Sequence, residues 1–371
     1  MRRGKIFLFK ELDYILIVLT ILCTTFGIVM ISSAVKSLND GSKYIIIQSA
    51  AAGIGFVLMA IFTTFNYEKV GIAWKIIYVG CIFLLILVLI IGTGKEDTGS
   101  KSWIRFGPIG IQPSEFVKIG FIITLSKRAS EFGENINEPK NILKLLAHLA
   151  ILLGLIMLQP DFGTAMVFIF IFVGIVFAAG ISYKYILTAV GTVIGAIPLA
   201  WFFFLKEYQK NRIRVFINPE SDPLGAGYHV IQSKIAIGSG QIFGKGLYQG
   251  TQTQLGYLPV KHTDFIFAVV GEELGLIGCA VVTALLFSLV YRCLIDSTRT
   301  KSDMSRYICI GVACMFLAHI FENIGMCIGL MPVTGIPLPF FSYGGSSLIT
   351  NFAAIGLVLS VHMRKKSITF N

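Results

Sequence analysis

Tyr14 to Ala34 reads YILIVLTILCTTFGIVMISSA, a run without one charged side chain and long enough to cross a bilayer as a helix. Runs of this kind recur along the chain and constrain its fold more than any motif does. Within a bilayer the backbone must satisfy its own hydrogen bonds, so a chain made of such runs is a bundle of helices. Ten runs are read, at 14–34, 44–63, 73–93, 113–126, 145–160, 163–181, 185–204, 265–291, 307–331 and 347–362. The expected fold is an all-α polytopic membrane protein of about ten transmembrane helices. It forms one integral domain over residues 1–371, with a long extracellular loop, about 205–264, between spans seven and eight. The fourth run is short and the eighth and ninth are long, which points to tilted, re-entrant or broken helices there. Only 14% of residues are charged, against about 25% in soluble domains. The first run is too long for a signal-peptide core and lacks a cleavage site, so it is read as a retained span.

The formal charge of +11 takes its meaning from where the charges fall. With the N-terminus inside, more than half of the 31 basic residues lie in the N-terminal segment, the inner loops and the C-terminal tail. Both termini are therefore expected in the cytoplasm, the membrane takes the place of nucleic acid as partner, and 205–264 faces outward. That segment is rich in Gly, Pro and Asn, which reads as turns between short interfacial helices. Six of the seven cysteines fall inside apolar runs without CxxC or Cys/His spacing, so no disulfide framework or zinc site is expected. His148 and His319 read as packed helix contacts.

The stretch KHTDFIFAVVGEELG, Lys261 to Gly275, places three carboxylates at the start of an apolar run. Asp264 is either a plain helix N-cap or a functional carboxylate at the outer membrane edge. Glu272 and Glu273 follow ~12–14 Å deeper at 1.5 Å per residue, and intramembrane carboxylates imply a partner, a cavity or a path. One is expected to bond a neighbouring helix, and Glu272 to line the cavity beneath Asp264. Asp161 in LQPDFGTA follows a tight turn and could cap the next helix. In QPSEFVK, Glu115 and Lys118 are three apart and can pair on one helix face, Lys118 reading as structural.

Lys206, Lys210, Arg212 and Arg214 follow span seven on the outer side, joined there by Lys101, Arg105 and Lys245. They are either solvated or headgroup-facing charges, or a site for phosphate or diphosphate, to which arginine forks are suited. Trp103 is an interfacial anchor or a platform for a sugar or lipid. No P-loop and no dinucleotide fingerprint occurs. An outward-facing enzyme has no ATP, so its substrate must carry its own activation, as a lipid diphosphate does.

The stretch NIGMCIGLMPVTGIPLPFFSYGGSS, Asn323 to Ser347, closely resembles the signature of the SEDS proteins (shape, elongation, division and sporulation). KSWIRFGPIGIQPSEFVKIG, QPDFGTA and the block 218–275 resemble further family blocks in the expected order, and that last block is most similar to the rod-shape elongation branch. The resemblance covers essentially the whole chain. It implies a peptidoglycan glycosyltransferase that polymerises lipid II at the outer face of the cytoplasmic membrane for cell-wall elongation and cell shape. The implied partners are a single-span class B penicillin-binding protein and other elongation proteins. The family's essential aspartate falls on Asp264 and its loop tryptophan on Trp103, with Asp161 and Glu115 at supporting positions. In such a reaction a 4-hydroxyl attacks C1 of a second lipid-linked sugar and expels polyprenyl diphosphate. Asp264 would act as general base. The leaving diphosphate needs positive charge, from Arg212 and Arg214 or from a divalent cation such as Mg2+ or Mn2+. Two rivals remain: a flippase whose polar path is Glu272, Glu273 and Asp161, and a scaffold for the penicillin-binding protein.

Overall fold

Over its described residues, each of the ten apolar runs overlaps a helix. The computed structural model describes residues 12–94, 100–106, 109–199, 210, 214–223 and 225–364. In chain order the helices are α1 (Tyr14–Ala34), α2 (Gly41–Thr64), the short α3 (Tyr67–Ile72), α4 (Trp74–Ile91), α5 (Pro113–Phe132), α6 (Pro139–Met157), α7 (Phe162–Ala178) and α8 (Tyr183–Leu199). After them come α9 (Ala226–Ser239), the one-turn α10 (Thr251–Gln254), α11 (Ile266–Thr298), α12 (Asp303–Ile328) and α13 (Gly345–His362). Among the described helices, seven are long and apolar enough to cross a membrane, namely α1, α2, α4, α6, α11, α12 and α13, and α7 is a shorter apolar helix. The protein is a multi-pass membrane protein.

Helix ends follow from local chemistry. Asp13 caps α1 by accepting from the amides of Ile15 and Leu16. Pro113 and Pro139 open α5 and α6, where the missing N–H costs nothing. Gly329 ends α12 in the left-handed conformation. The described termini lie at one end of the bundle, and the described residues of 225–264 lie at the other, the loop end, where Gln254 and Glu273 meet Ser33 at the end of α1. At the opposite end Arg292 bonds Asp13 at 2.5 Å and His362 Nδ1 meets Asp296 at 2.6 Å, joining α1, α11 and α13. α13 is buried along almost its whole length and packs against α2, with Phe352 filling the space beside Gly55.

One feature departs from the sequence reading, and a second gives the long eighth run the break that its length suggested. The segment before α5 contains a hairpin, β1 (Ile104–Phe106) against β2 (Ile109–Ile111), antiparallel with Arg105 opposite Gly110. The eighth run is broken at Gly275 (φ 66°, ψ −162°), a conformation open essentially to glycine alone. A Cβ there would lie 2.4 Å from the Gly244 nitrogen. The stretch 276–298 runs beside α1, from Glu273 bonded to Ser33 at one end to Arg292 bonded to Asp13 at the other. The piece 266–274 is set off from it at the loop end.

Candidate active site

Asp264 sits one residue before the N-cap of α11. That cap position belongs to Phe265, and no side chain caps the helix, so the N-cap reading of Asp264 does not hold. Its backbone is gripped instead. Asn323 donates its amide to the carbonyls of Asp264 and Ile336, both at 2.8 Å. Ser342 donates to the carbonyl of Thr263 at 2.6 Å, and the Tyr343 amide to that of His262 at 2.8 Å. Gly335 lies under the side chain: a Cβ there would sit 3.5 Å from Asp264 Oδ2. The carboxyl is partly exposed, yet loss of water raises its pKa to about 6, a shift that the Thr263 hydroxyl only partly offsets. His262 beside it is pushed down to about 4, by burial first and then by the charge of Lys261, so it is neutral at pH 7. The fold thus presents one carboxylate, rigidly held and close to its proton-exchange range.

Glu272 does not line a cavity beneath Asp264, and this corrects the sequence reading. It is fully buried and accepts from Lys245 Nζ (2.9 Å), Thr251 Oγ1 (3.3 Å), the amides of Gln252 (2.8 Å) and Thr253 (2.9 Å), and Thr253 Oγ1 (2.8 Å). Glu273 accepts from Ser33 and from Gln254. Both carboxylates therefore fold the segment 245–254 onto α11 and α1. Ser33, at the end of α1, marks their level as the loop end. Lys245, expected among substrate-binding cations, is held by Glu272 and Thr251.

The remaining residues gather along α5, α7 and α12. Lys118 is 1% exposed and lies 2.8 Å from both Glu115 Oε1 and His319 Nε2, while His319 Nδ1 meets the Pro337 carbonyl. Asp161 caps α7 through the Thr164 amide and hydroxyl and accepts from Gln112 Nε2 at 3.2 Å. Burial raises its pKa, against the lowering effect of those bonds and of Lys118. Gln112 also ties the hairpin to α13, because its amide meets Ser346 Oγ, which donates to Gly110. Trp103 is half-buried in a backbone bridge to Thr93, its ring over Gly110. Lys101 donates to the carbonyls of Leu89 and Ile90 and so closes the end of α4, whereas Arg105 is exposed on β1. Arg214 is exposed, and Arg212 lies outside the described residues.

The sequence reading missed Glu322, which is 1% exposed and has no hydrogen-bond partner on either oxygen. The available signal was HIFENIG, a carboxylate three residues after His319 and beside Asn323 in an otherwise apolar helix.

Residues 13–367 match the family model described as cell cycle protein, FtsW/RodA/SpoVE. The chain is 39% identical over 319 residues to the peptidoglycan glycosyltransferase MrdB of Escherichia coli, covering 85% of each chain. It is 37% identical to the probable peptidoglycan glycosyltransferase FtsW of Trichlorobacter lovleyi over 96% of this chain and 94% of that one. Among solved structures, it is similar to a chain from work on the coordination of polymerization and crosslinking by a peptidoglycan synthase complex. The TM-score is 0.82 and the identity 30%, over 95% of this chain and 97% of that one. Thermus thermophilus RodA gives a TM-score of 0.72 and 29% identity, over 96% and 98% of the two chains. With a family model spanning nearly its whole length and the same helical arrangement as solved members, the chain belongs to the FtsW/RodA/SpoVE family.

Proposed function

We propose that this protein is a peptidoglycan glycosyltransferase that polymerises lipid II for cell-wall elongation, with Asp264 as general base. The names of its relatives as peptidoglycan glycosyltransferases support the activity. The observation that carries the residue assignment is the state of Asp264: a carboxyl freed from capping, fixed by its own backbone and shifted to about 6. A base of that strength is mostly ionised at pH 7 and accepts a proton without a large penalty. The sugar 4-hydroxyl forms the new bond to C1 of the second substrate, its proton goes to Asp264, and the C1–oxygen bond to the polyprenyl diphosphate breaks. On the positive-inside reading the loop end faces outward, where lipid II and a class B penicillin-binding protein would meet it. Similarity to a chain of a peptidoglycan synthase complex supports that partner. The flippase reading loses its polar path, since Glu272, Glu273 and Asp161 all sit at the loop end. The test is glycan-strand synthesis from purified lipid II by the wild type and by Asp264→Asn, each with and without the partner. Product that depends on the Asp264 carboxylate supports the assignment.

A further inference from the structure

The stretch 332–337 forms neither helix nor strand, and it passes against the Asp264 carboxylate. Gly335, at φ 73°, would bring a Cβ to 3.5 Å from Asp264 Oδ2. Among the described residues, two hydrogen bonds hold the main chain of this stretch, and both come from α12. Asn323 donates to the Ile336 carbonyl at 2.8 Å, and His319 Nδ1 lies 3.0 Å from the Pro337 carbonyl. The two side chains are four residues apart, so they share one face of α12 and take successive carbonyls. Asn323 also donates to the Asp264 carbonyl. One helix face therefore sets the stretch and the carboxylate side by side.

The partners of the His319 ring fix its state. The Pro337 carbonyl can only accept, so Nδ1 carries the proton. Lys118, ion-paired with Glu115 at 2.8 Å, can only donate, so Nε2, also 2.8 Å from it, accepts. His319 is thus the neutral Nδ1–H tautomer, held between a buried ammonium and a backbone carbonyl, and it is fully buried, away from competing water.

We propose that His319 is a positioning residue for Asp264: by holding the Pro337 carbonyl it keeps 332–337 closed against the carboxylate, and Lys118 keeps the ring in the tautomer that does so. The inference rests on the reading of Asp264 as base. With the stretch in place the carboxyl is short of water, in keeping with its raised pKa of about 6. Released, the stretch would admit water, and that pKa would fall towards its usual value of about 4, leaving a weaker base.

The experiment compares His319→Asn with His319→Gln in the full chain. An Asn amide reaches the place of Nδ1 and keeps a donor for Pro337, whereas a Gln amide reaches the place of Nε2 and keeps only an acceptor for Lys118. The measurements are kcat, KM and the pH profile of strand synthesis from lipid II, together with deuterium uptake by the amides of 333–336. His319→Gln should lose about 10- to 100-fold in kcat with a smaller change in KM. Its acid limb should move below pH 6 and its 333–336 amides should exchange faster. His319→Asn should recover most of the rate, with the limb and the exchange of the wild type. Wild-type kcat and profile in His319→Gln would overturn the proposal. So would a folded His319→Asn as slow as His319→Gln with both limbs unmoved, the result expected of lost packing alone. Failure of the base assignment shows elsewhere, as strands made by Asp264→Asn with His319 intact.

Discussion

Two groups of buried carboxylates stand at the loop end, and they are finished to different degrees. Glu272 meets five donors from Lys245, Thr251, Gln252 and Thr253, and Glu273 is closed by Ser33 and Gln254. Glu115 keeps one oxygen unpaired and Glu322 keeps two. A carboxylate with every lone pair engaged has its work inside the fold, here holding 245–254 against α11 and α1. A carboxylate left open at the same burial costs stability. Counting the partners of each acid therefore separates architecture from function better than its depth in the membrane does.

The largest effect should come from breaking the finished group. Glu272→Ala strips five donors of their acceptor and leaves Lys245 without its buried counter-charge. A loss of about 3–5 kcal/mol is expected, measured by unfolding in detergent. A loss no greater than that of Glu322→Gln would erase the distinction between the groups.

Gly275→Ala comes next. It imposes a side chain on a glycine-only conformation, at a cost of about 1–3 kcal/mol, with a Cβ clash against Gly244 in addition. Because the bend places 266–274 at the loop end, glycan synthesis should fall along with the melting temperature. Full activity with wild-type melting would mean that the bend is dispensable.

The pH dependence follows from Asp264. A base must be deprotonated, and its pKa of about 6 places the acid limb of the polymerisation rate there. Below it the initial rate should drop about tenfold per pH unit, and a flat profile from pH 7 down to pH 5 would remove Asp264 from the proton transfer.

The smallest effect is expected for Glu322→Gln. It removes an uncompensated buried charge, so stability should change by less than about 1 kcal/mol or rise. A loss as large as that of Glu272→Ala would show that Glu322 has partners in the fold.

The bundle was legible in the sequence because a bilayer-length apolar run leaves the backbone few alternatives, and seven of the described helices are long and apolar enough to span. The hairpin 104–111 was not legible: strands of three residues are too short to show an alternating pattern. The length of the eighth run pointed to tilt, re-entrance or a break, but not to its place at Gly275. Glu272 was read as lining a cavity because the sequence does not show the donors of 245–254 folding onto it. Asp264, Trp103, Glu115 and Asp161 were identified through motif resemblance, and their geometry through the structure alone. Glu322 escaped because burial inside a helix bundle is not visible in one helix's sequence. The basic cluster was legible as charge only; Lys101 and Lys245 turned out to serve helix ends and loops.

The central claim is that the Asp264 carboxylate performs proton transfer and is not needed for folding. Because its pKa is raised in the folded protein, the ionised form is disfavoured by folding, and this cost is present above pH 6 and relieved below it. Asp264→Asn should therefore melt at or above the wild-type temperature at pH 7. The direct measurement is glycan-strand synthesis from lipid II by wild type and Asp264→Asn side by side, with the melting temperature of each sample recorded. The account predicts strands from the wild type and none from an equally stable variant. Strands of comparable yield from Asp264→Asn would contradict it.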